Sequence, residues 1–248
     1  MSSYNTLAPF YDALTGDVNY PAFADFYEKI FAEYGTAPKT ILDLACGTGT
    51  LTLILARRGY EMIGADASPE MLSVAAEKAA GLKAGIKPLF LGQAMEELDL
   101  YGTVDAAVCS LDGLNYVEPE LLPEIFRRLR LFIEPGGVLI FDLNTPYKLR
   151  KLDGEVFVDE NDEVFCVWRA EFDQKANACF YGMDIFAKRG SMWARSFEEH
   201  TEYAHEPENL IDILGSAGFS DVRIYGDMTL LPPERTEKRV FIAAVNMK

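Results

Sequence analysis

Ile41-Leu-Asp-Leu-Ala-Cys-Gly-Thr-Gly-Thr50 is the stretch on which the fold reading turns. A short apolar run ends in Asp43. A loop of small residues follows, with Gly47 and Gly49 two apart, and Leu51, Leu53, Ile54, Leu55 and Ala56 supply the apolar part of a helix. Strand, tight turn and helix start, in that order, bring backbone N–H groups and the positive end of a helix up to a nucleotide-like ligand. The following run, Met62-Ile-Gly-Ala-Asp66, reads as a second strand that again ends in an acid.

On the N-terminal side, residues 4–34 are expected to be helical in two pieces, interrupted at Asp17-Val-Asn-Tyr-Pro21, with Phe23, Phe26, Tyr27, Ile30 and Phe31 at helical spacing. Gly35 and Pro38 end that segment. On the C-terminal side, Ser68-Pro-Glu70 combines a cap, a first-position proline and an acid at the positive helix end. Strands are expected near 86–91, at Val104–Ser110 and at Val138–Asp142. A helix over 118–133 precedes the last of these and closes on a sharp Pro135-Gly136-Gly137 turn. Such alternation implies parallel βαβ units in a doubly wound α/β domain.

The rhythm changes between 150 and 204. Val164–Phe172, Cys179–Phe186 and Met192–Tyr203 read as three antiparallel strands, and the acid-rich segment 153–163 as a mobile surface loop. Helical and strand patterns return at Pro207–Ala217, Asp221–Tyr225 and Arg239–Val245. The organisation expected is a main domain of 1–149 and 205–248, with helices 1–36 as its lid. A β-rich insertion, 150–204, covers the substrate cleft.

The 248 residues are 49% apolar and carry a net charge of −16, which argues against a large phosphate-backbone footprint and so against nucleic acid as partner. The basic groups Arg127, Arg128 and Arg130, and Lys148, Arg150 and Lys151, read as a solvated helix face and a loop. No apolar run reaches the ~18 residues of a membrane span, and no leader is expected. Cys46, Cys109, Cys166 and Cys179 are scattered, which suits reduced thiols in a cytoplasmic protein and no metal site.

A dinucleotide-binding turn wants a third glycine where Thr52 stands, and Asp43 sits awkwardly beside a pyrophosphate. S-adenosylmethionine has no phosphate and carries an ammonium and a sulfonium, so an acidic, backbone-rich loop suits it better. Asp66 can then accept the ribose hydroxyls. The segment Asp43-Leu-Ala-Cys-Gly47-Thr-Gly49 resembles the glycine-rich motif of class I S-adenosylmethionine-dependent methyltransferases, with Ala45 where a glycine often stands. Gly64-Ala-Asp66-Ala-Ser-Pro-Glu-Met71 resembles their second motif, and Gly92-Gln93-Ala94-Met95 their adenine-edge motif, with Gln93 in place of the usual acid. Asp105–Tyr116 and the Pro-Gly-Gly turn resemble later motifs, and the likeness covers about 38–145 and 205–247. Ala8-Pro-Phe-Tyr11-Asp12 and Phe197-Glu-Glu-His200-Thr-Glu-Tyr203 resemble bacterial small-molecule members with a β-rich insertion after strand five.

That resemblance implies a Rossmann-like seven-stranded sheet whose last strand is antiparallel. It also implies S-adenosyl-L-methionine as donor, with S-adenosyl-L-homocysteine as product. The donor-binding residues it implies are Tyr11, Asp43, Ala45, Cys46, Gly47, Gly49, Asp66, Ala67, Met71, Gln93, Ala94, Met95, Ser110 and Leu111. Tyr20, Asn115, Tyr116 and His200 are the acceptor-side candidates, with Tyr11 and His200 the catalytic ones. Each has a plainer alternative: helix packing for Tyr11, core for Met71, a turn for Asn115, a structural imidazole for His200. The activity expected is methyl transfer to N or O of a small molecule by a monomer or homodimer. A non-catalytic S-adenosylmethionine-binding sensor or partner protein is the alternative, and a nicotinamide oxidoreductase is disfavoured by Thr52 and Asp43.

Overall fold

A computed structural model describes residues 7–83 and 85–247, so Tyr4, a weaker aromatic candidate beside Tyr11, lies outside the described residues. The chain opens with a 3-10 turn (Ala8–Phe10) running into α1 (Tyr11–Leu14), followed by α2 (Tyr20–Glu33). Asn19 caps α2 by accepting from the Ala22 N–H, and Pro21 stands in its first turn. Strand β1 (Thr40–Leu44), α3 (Thr50–Arg57), β2 (Glu61–Asp66), α4 (Pro69–Ala80), β3 (Leu89–Gly92), β4 (Val104–Cys109), α5 (Leu122–Phe132) and β5 (Ile133–Asn144) then alternate as the periodicity predicts. After α6 (Pro146–Lys151) come β6 (Val156–Glu160), β7 (Val164–Asp173), β8 (Ala178–Arg189) and β9 (Met192–Tyr203), then α7 (Pro207–Ala217), β10 (Phe219–Tyr225) and β11 (Arg239–Asn246).

The main sheet has the order β10-β11-β5-β4-β1-β2-β3. Pairings among β1 to β5 are parallel, and β11 is antiparallel to both β5 and β10. Strand β1 is apolar almost throughout because both its faces are covered. Leu42 and Leu44 face a core built with Ile125, Phe126 and Leu129 of α5 and Leu210 and Leu214 of α7. Ile41 faces the opposite core, with Leu51 and Leu55 of α3 and the α2 aromatics. Phe26 and Tyr27 pack edge-on against Phe241, centroids 4.8 and 6.3 Å away, and burial of such a ring contributes roughly 1.5–3 kcal/mol. The connections from β1 and β4 leave in opposite directions, so a crevice opens at the carboxyl ends of these two neighbouring strands.

The second sheet, β6-β7-β8-β9, is antiparallel throughout. On its inner face Val164, Cys166, Met183 and Ile185 form a cluster with Leu7, against which Phe10, Tyr11 and Leu14 pack. The segment from Leu7 to Leu14 therefore packs on the inner face of this sheet.

Two sequence expectations are corrected. Segment 153–163 contains an edge strand, β6, because Val156, Phe157 and Val158 are strong strand formers. Its five residues are all exposed, and Asp159 and Glu160 place charge on the open edge, which discourages pairing with other chains. Pro135-Gly136-Gly137 lies inside β5 rather than in a separate turn. Gly136 takes φ +85°, and the register with β4 shifts between Val104 and Ala106. A Cβ on Gly137 would come 2.6 Å from the Asp105 carbonyl oxygen.

Candidate active site

The crevice at the ends of β1, β2 and β4 holds a cavity of about 360 Å³, within the usual range for a small ligand. Its walls include Tyr11, Tyr20, Asp43, Ala45, Cys46, Gly47, Asp66, Ala67, Met71, Gln93, Ala94, Met95, Ser110, Leu111 and Tyr116. The structure thus gathers these sequence-predicted residues around one space. Three predicted residues stand elsewhere. Gly49 (φ +71°) is the N-cap of α3, where a Cβ would press on Ala75 and Phe90. Asn115 is fully buried: its amide donates to the carbonyls of Asn144 and Tyr203, each at 3.0 Å, and accepts from the Asn144 N–H. It clamps the loop after β4 to β5 and β9. His200 lies one layer behind the wall, its ring edge-on to Tyr116 at 6.1 Å and its Nε2 3.3 Å from Glu198 Oε2.

The glycine-rich loop is organised by the two strand-end acids. Asp43 is buried and accepts from the Thr52 hydroxyl and backbone N–H. Loss of solvent raises its carboxyl to about 7, against those two bonds, and the nearby Asp66 charge adds to the rise. Asp66 accepts from the Gly47 N–H and from the Ser68 N–H, both at 2.8 Å, and so ties the loop to the start of α4. Its carboxyl is also raised by burial, with those bonds opposing. Each carboxylate oxygen keeps a second acceptor site, so Asp66 can still receive ribose hydroxyls. The Gln93 amide donates to the Asp99 carbonyl and accepts from the Asp99 N–H, both at 3.1 Å, which fixes the side chain against backbone rather than leaving it to seek an adenine.

Gly47 tests whether the cavity suits a donor. It takes φ +54°, and a Cβ there would meet nothing within 4 Å, because it would point into the cavity. Only glycine leaves that room without backbone strain. Ala45, Leu111 and Asp112 are non-glycine residues in the left-handed region, with φ of +54° to +56°. Such conformations cost about 1–3 kcal/mol each and persist where the surroundings enforce them. Here the buried Asp142 accepts from the Leu111 and Asp112 N–H groups, and Arg239 bridges Asp142 and Asp112. Burial raises Asp142 to about 6 even with Arg239 against it. Among the described residues lining the cavity there are three acids, Asp43, Asp66 and Glu96, and no lysine, arginine or histidine. Such a field favours a cationic or neutral ligand.

Sequence reasoning missed Asp142, Arg239, Asp12 and Lys78. Asp142 carried a readable signal, since like Asp43 and Asp66 it stands at or near the carboxyl end of a buried strand. Asp12 and Lys78 bond to Thr48 and Thr50 on the cavity rim, and no local pattern announced that meeting.

A methyltransferase-domain family model matches residues 41–137, from β1 into β5. YqeM of Bacillus subtilis (strain 168), provisionally named a methyltransferase, is 30% identical over 248 residues, covering 99% of this chain and 98% of that protein. The crystal structure of an S-adenosylmethionine-dependent methyltransferase from Clostridium acetobutylicum ATCC 824 is likewise 30% identical, with 99% of both chains covered and a TM-score of 0.86. The chain belongs to the class I S-adenosylmethionine-dependent methyltransferases. Its fold is shared more widely: the sugar N-methyltransferase KedS8 from Streptoalloteichus sp ATCC 53650 is 20% identical, with a TM-score of 0.79 over 96% of this chain and 93% of that one.

Proposed function

We propose that this enzyme transfers a methyl group from S-adenosylmethionine to nitrogen or oxygen of a small molecule. The cavity, lined among the described residues by three acids and no basic side chain and walled in part by Tyr11, Tyr20 and Tyr116, is the observation that carries this reading. Asp66 receives the ribose hydroxyls. Asp43, Ala45, Cys46 and Gly47 face the amino-acid end, and Ala67, Met71, Ala94, Met95, Ser110 and Leu111 enclose the adenosine. Gln93 shapes that wall through Asp99, and Gly49 acts through the turn it permits. Tyr11 covers the donor, and Tyr20 and Tyr116 face the acceptor.

The donor supplies an already activated methyl group, so the protein's task is alignment, worth about 7–11 kcal/mol in favourable cases. Tyr116 and Tyr20 are suited to hold a neutral or cationic acceptor in line, and an amine loses its proton readily once desolvated. His200 stands edge-on to Tyr116 and beside Glu198, so its role is to fix that ring. Asn115 serves the same wall by clamping the loop. Residues 1–36 act as the lid of the main domain, and the insertion, 150–204, closes the acceptor side. The four free cysteines and the net charge support a cytoplasmic enzyme acting on free metabolites, as a monomer or homodimer, rather than on nucleic acid.

The test is transfer of label from methyl-labelled S-adenosylmethionine to small amines, phenols and alcohols, and to fractionated metabolites. Labelled N- or O-methyl products, formed with S-adenosylhomocysteine, are expected. Saturable donor binding with no labelled product in any fraction would overturn the small-molecule reading.

A further inference from the structure

The N-terminal segment is held on both sides. On one side the Leu7 N–H donates to Glu198 Oε1 of the insertion at 3.1 Å. On the other side Asp12 Oδ1 accepts from the Thr48 hydroxyl at 2.6 Å and the Thr50 hydroxyl at 3.1 Å, and Asp12 Oδ2 accepts from Lys78 Nζ at 2.6 Å. The same ammonium donates to Thr50 Oγ1 at 2.6 Å and Thr48 Oγ1 at 3.2 Å. All three of its protons are therefore directed at one cluster. Three elements meet there: the turn carrying Tyr11, the glycine-rich loop and the last turn of α4. Thr48 and Thr50 flank Gly49 and themselves line the cavity, as does Tyr11.

We propose that Asp12 and Lys78 form a clasp that positions Tyr11 over the donor site and sets how long donor and product stay bound. They are positioning residues, since they act through Tyr11 and the loop. This rests on the donor reading of the cavity. The clasp ties the segment carrying Tyr11 to the glycine-rich loop and to α4, so lifting that segment from the loop breaks these bonds. Side-chain exposure of 27% for Lys78 and 42% for Asp12 leaves the pair within reach of water and salt. It can therefore open without unfolding, and its strength falls with ionic strength.

The experiment is stopped-flow release of S-adenosylhomocysteine from the full chain. Lys78→Ala and Asp12→Asn are each expected to speed release about 10-fold, equivalent to about 1.4 kcal/mol. Lys78→Arg and the exchange Asp12→Lys/Lys78→Asp are expected to recover most of the wild-type rate. The rate should climb with salt in the wild type and stay flat in Lys78→Ala. Lys29→Ala, which removes an exposed charge elsewhere on α2, should match the wild type. Release within about 2-fold of wild type in both Lys78→Ala and Asp12→Asn, or the same salt slope in Lys78→Ala as in wild type, overturns the clasp. If the wild type binds no S-adenosylhomocysteine, the donor reading fails instead, and the two failures are distinct.

Discussion

At the ends of the parallel strands, Asp43 and Asp66 are bonded by near neighbours in the chain: Thr52 is nine residues from Asp43, and Ser68 two and Gly47 nineteen from Asp66. On the inner face of the four-stranded sheet the partners are remote. Glu202 accepts from Asn144 Nδ2 across 58 residues, and Glu198 from the Leu7 N–H across 191. The first set of acids shapes one loop, and its logic is local. The second set registers separate elements against one another, so it exists only once the insertion, the N-terminal segment and β5 have docked. A loop built on local geometry and a sheet face built on long-range docking have different vulnerabilities.

Buried charge is also treated differently near the end of β5 and on the inner face of β9. Asp142 shares Arg239 with Asp112, whereas Glu202 has two neutral partners, the Asn144 amide and the Tyr181 hydroxyl, and the charge of Lys148. Arg239→Leu leaves two largely buried carboxylates without their cation, and removing one partner of such a group costs about 3–5 kcal/mol. Urea unfolding is expected to show that loss. A loss below about 1 kcal/mol would mean that the carboxyl end of β5 does not depend on this compensation.

Glu202 gives the next largest effect. Burial raises its carboxyl to about 7, with the Asp112 charge adding and Asn144, Lys148 and Tyr181 opposing. The folded protein then keeps a proton that the unfolded chain releases near its ordinary value of 4.5. Stability from this group is present below that value and is lost as pH rises through about 7, by on the order of 3 kcal/mol. Glu202→Gln is expected to flatten that part of the stability–pH profile. Asp43 and Asp142 also have raised values, so some slope should remain. A variant profile parallel to wild type across pH 5–8 would place the proton elsewhere.

What could be read in the chain divides along the same line. The glycine-rich turn was legible because left-handed backbone at Gly47 and Gly49, and acids at strand ends, are demanded by geometry within a few residues. The alternating order of strands and helices predicts the main sheet for the same reason. Inner-face parity in β9 was readable too, since Glu198, His200 and Glu202 alternate with the exposed Phe197. Which element that face would meet was not, and neither was the commitment of Asn115 to Asn144 and Tyr203. Strand β6 was hidden because its acids mimic a solvated loop, and an edge strand needs only one paired side. The meeting of Asp12 with Lys78 spans 66 residues and depends on how the segment packs on the second sheet.

Equilibrium titration of S-adenosylhomocysteine into wild type and Asp66→Ala bears most directly on the central claim that the turn after β1 and the acid ending β2 hold the donor. Loss of a charged hydrogen bond worth about 1.5–3 kcal/mol is expected to weaken binding by ~10–100-fold with one site per chain retained. Equal affinity in the two proteins, or no binding to the wild type at any concentration, would contradict it.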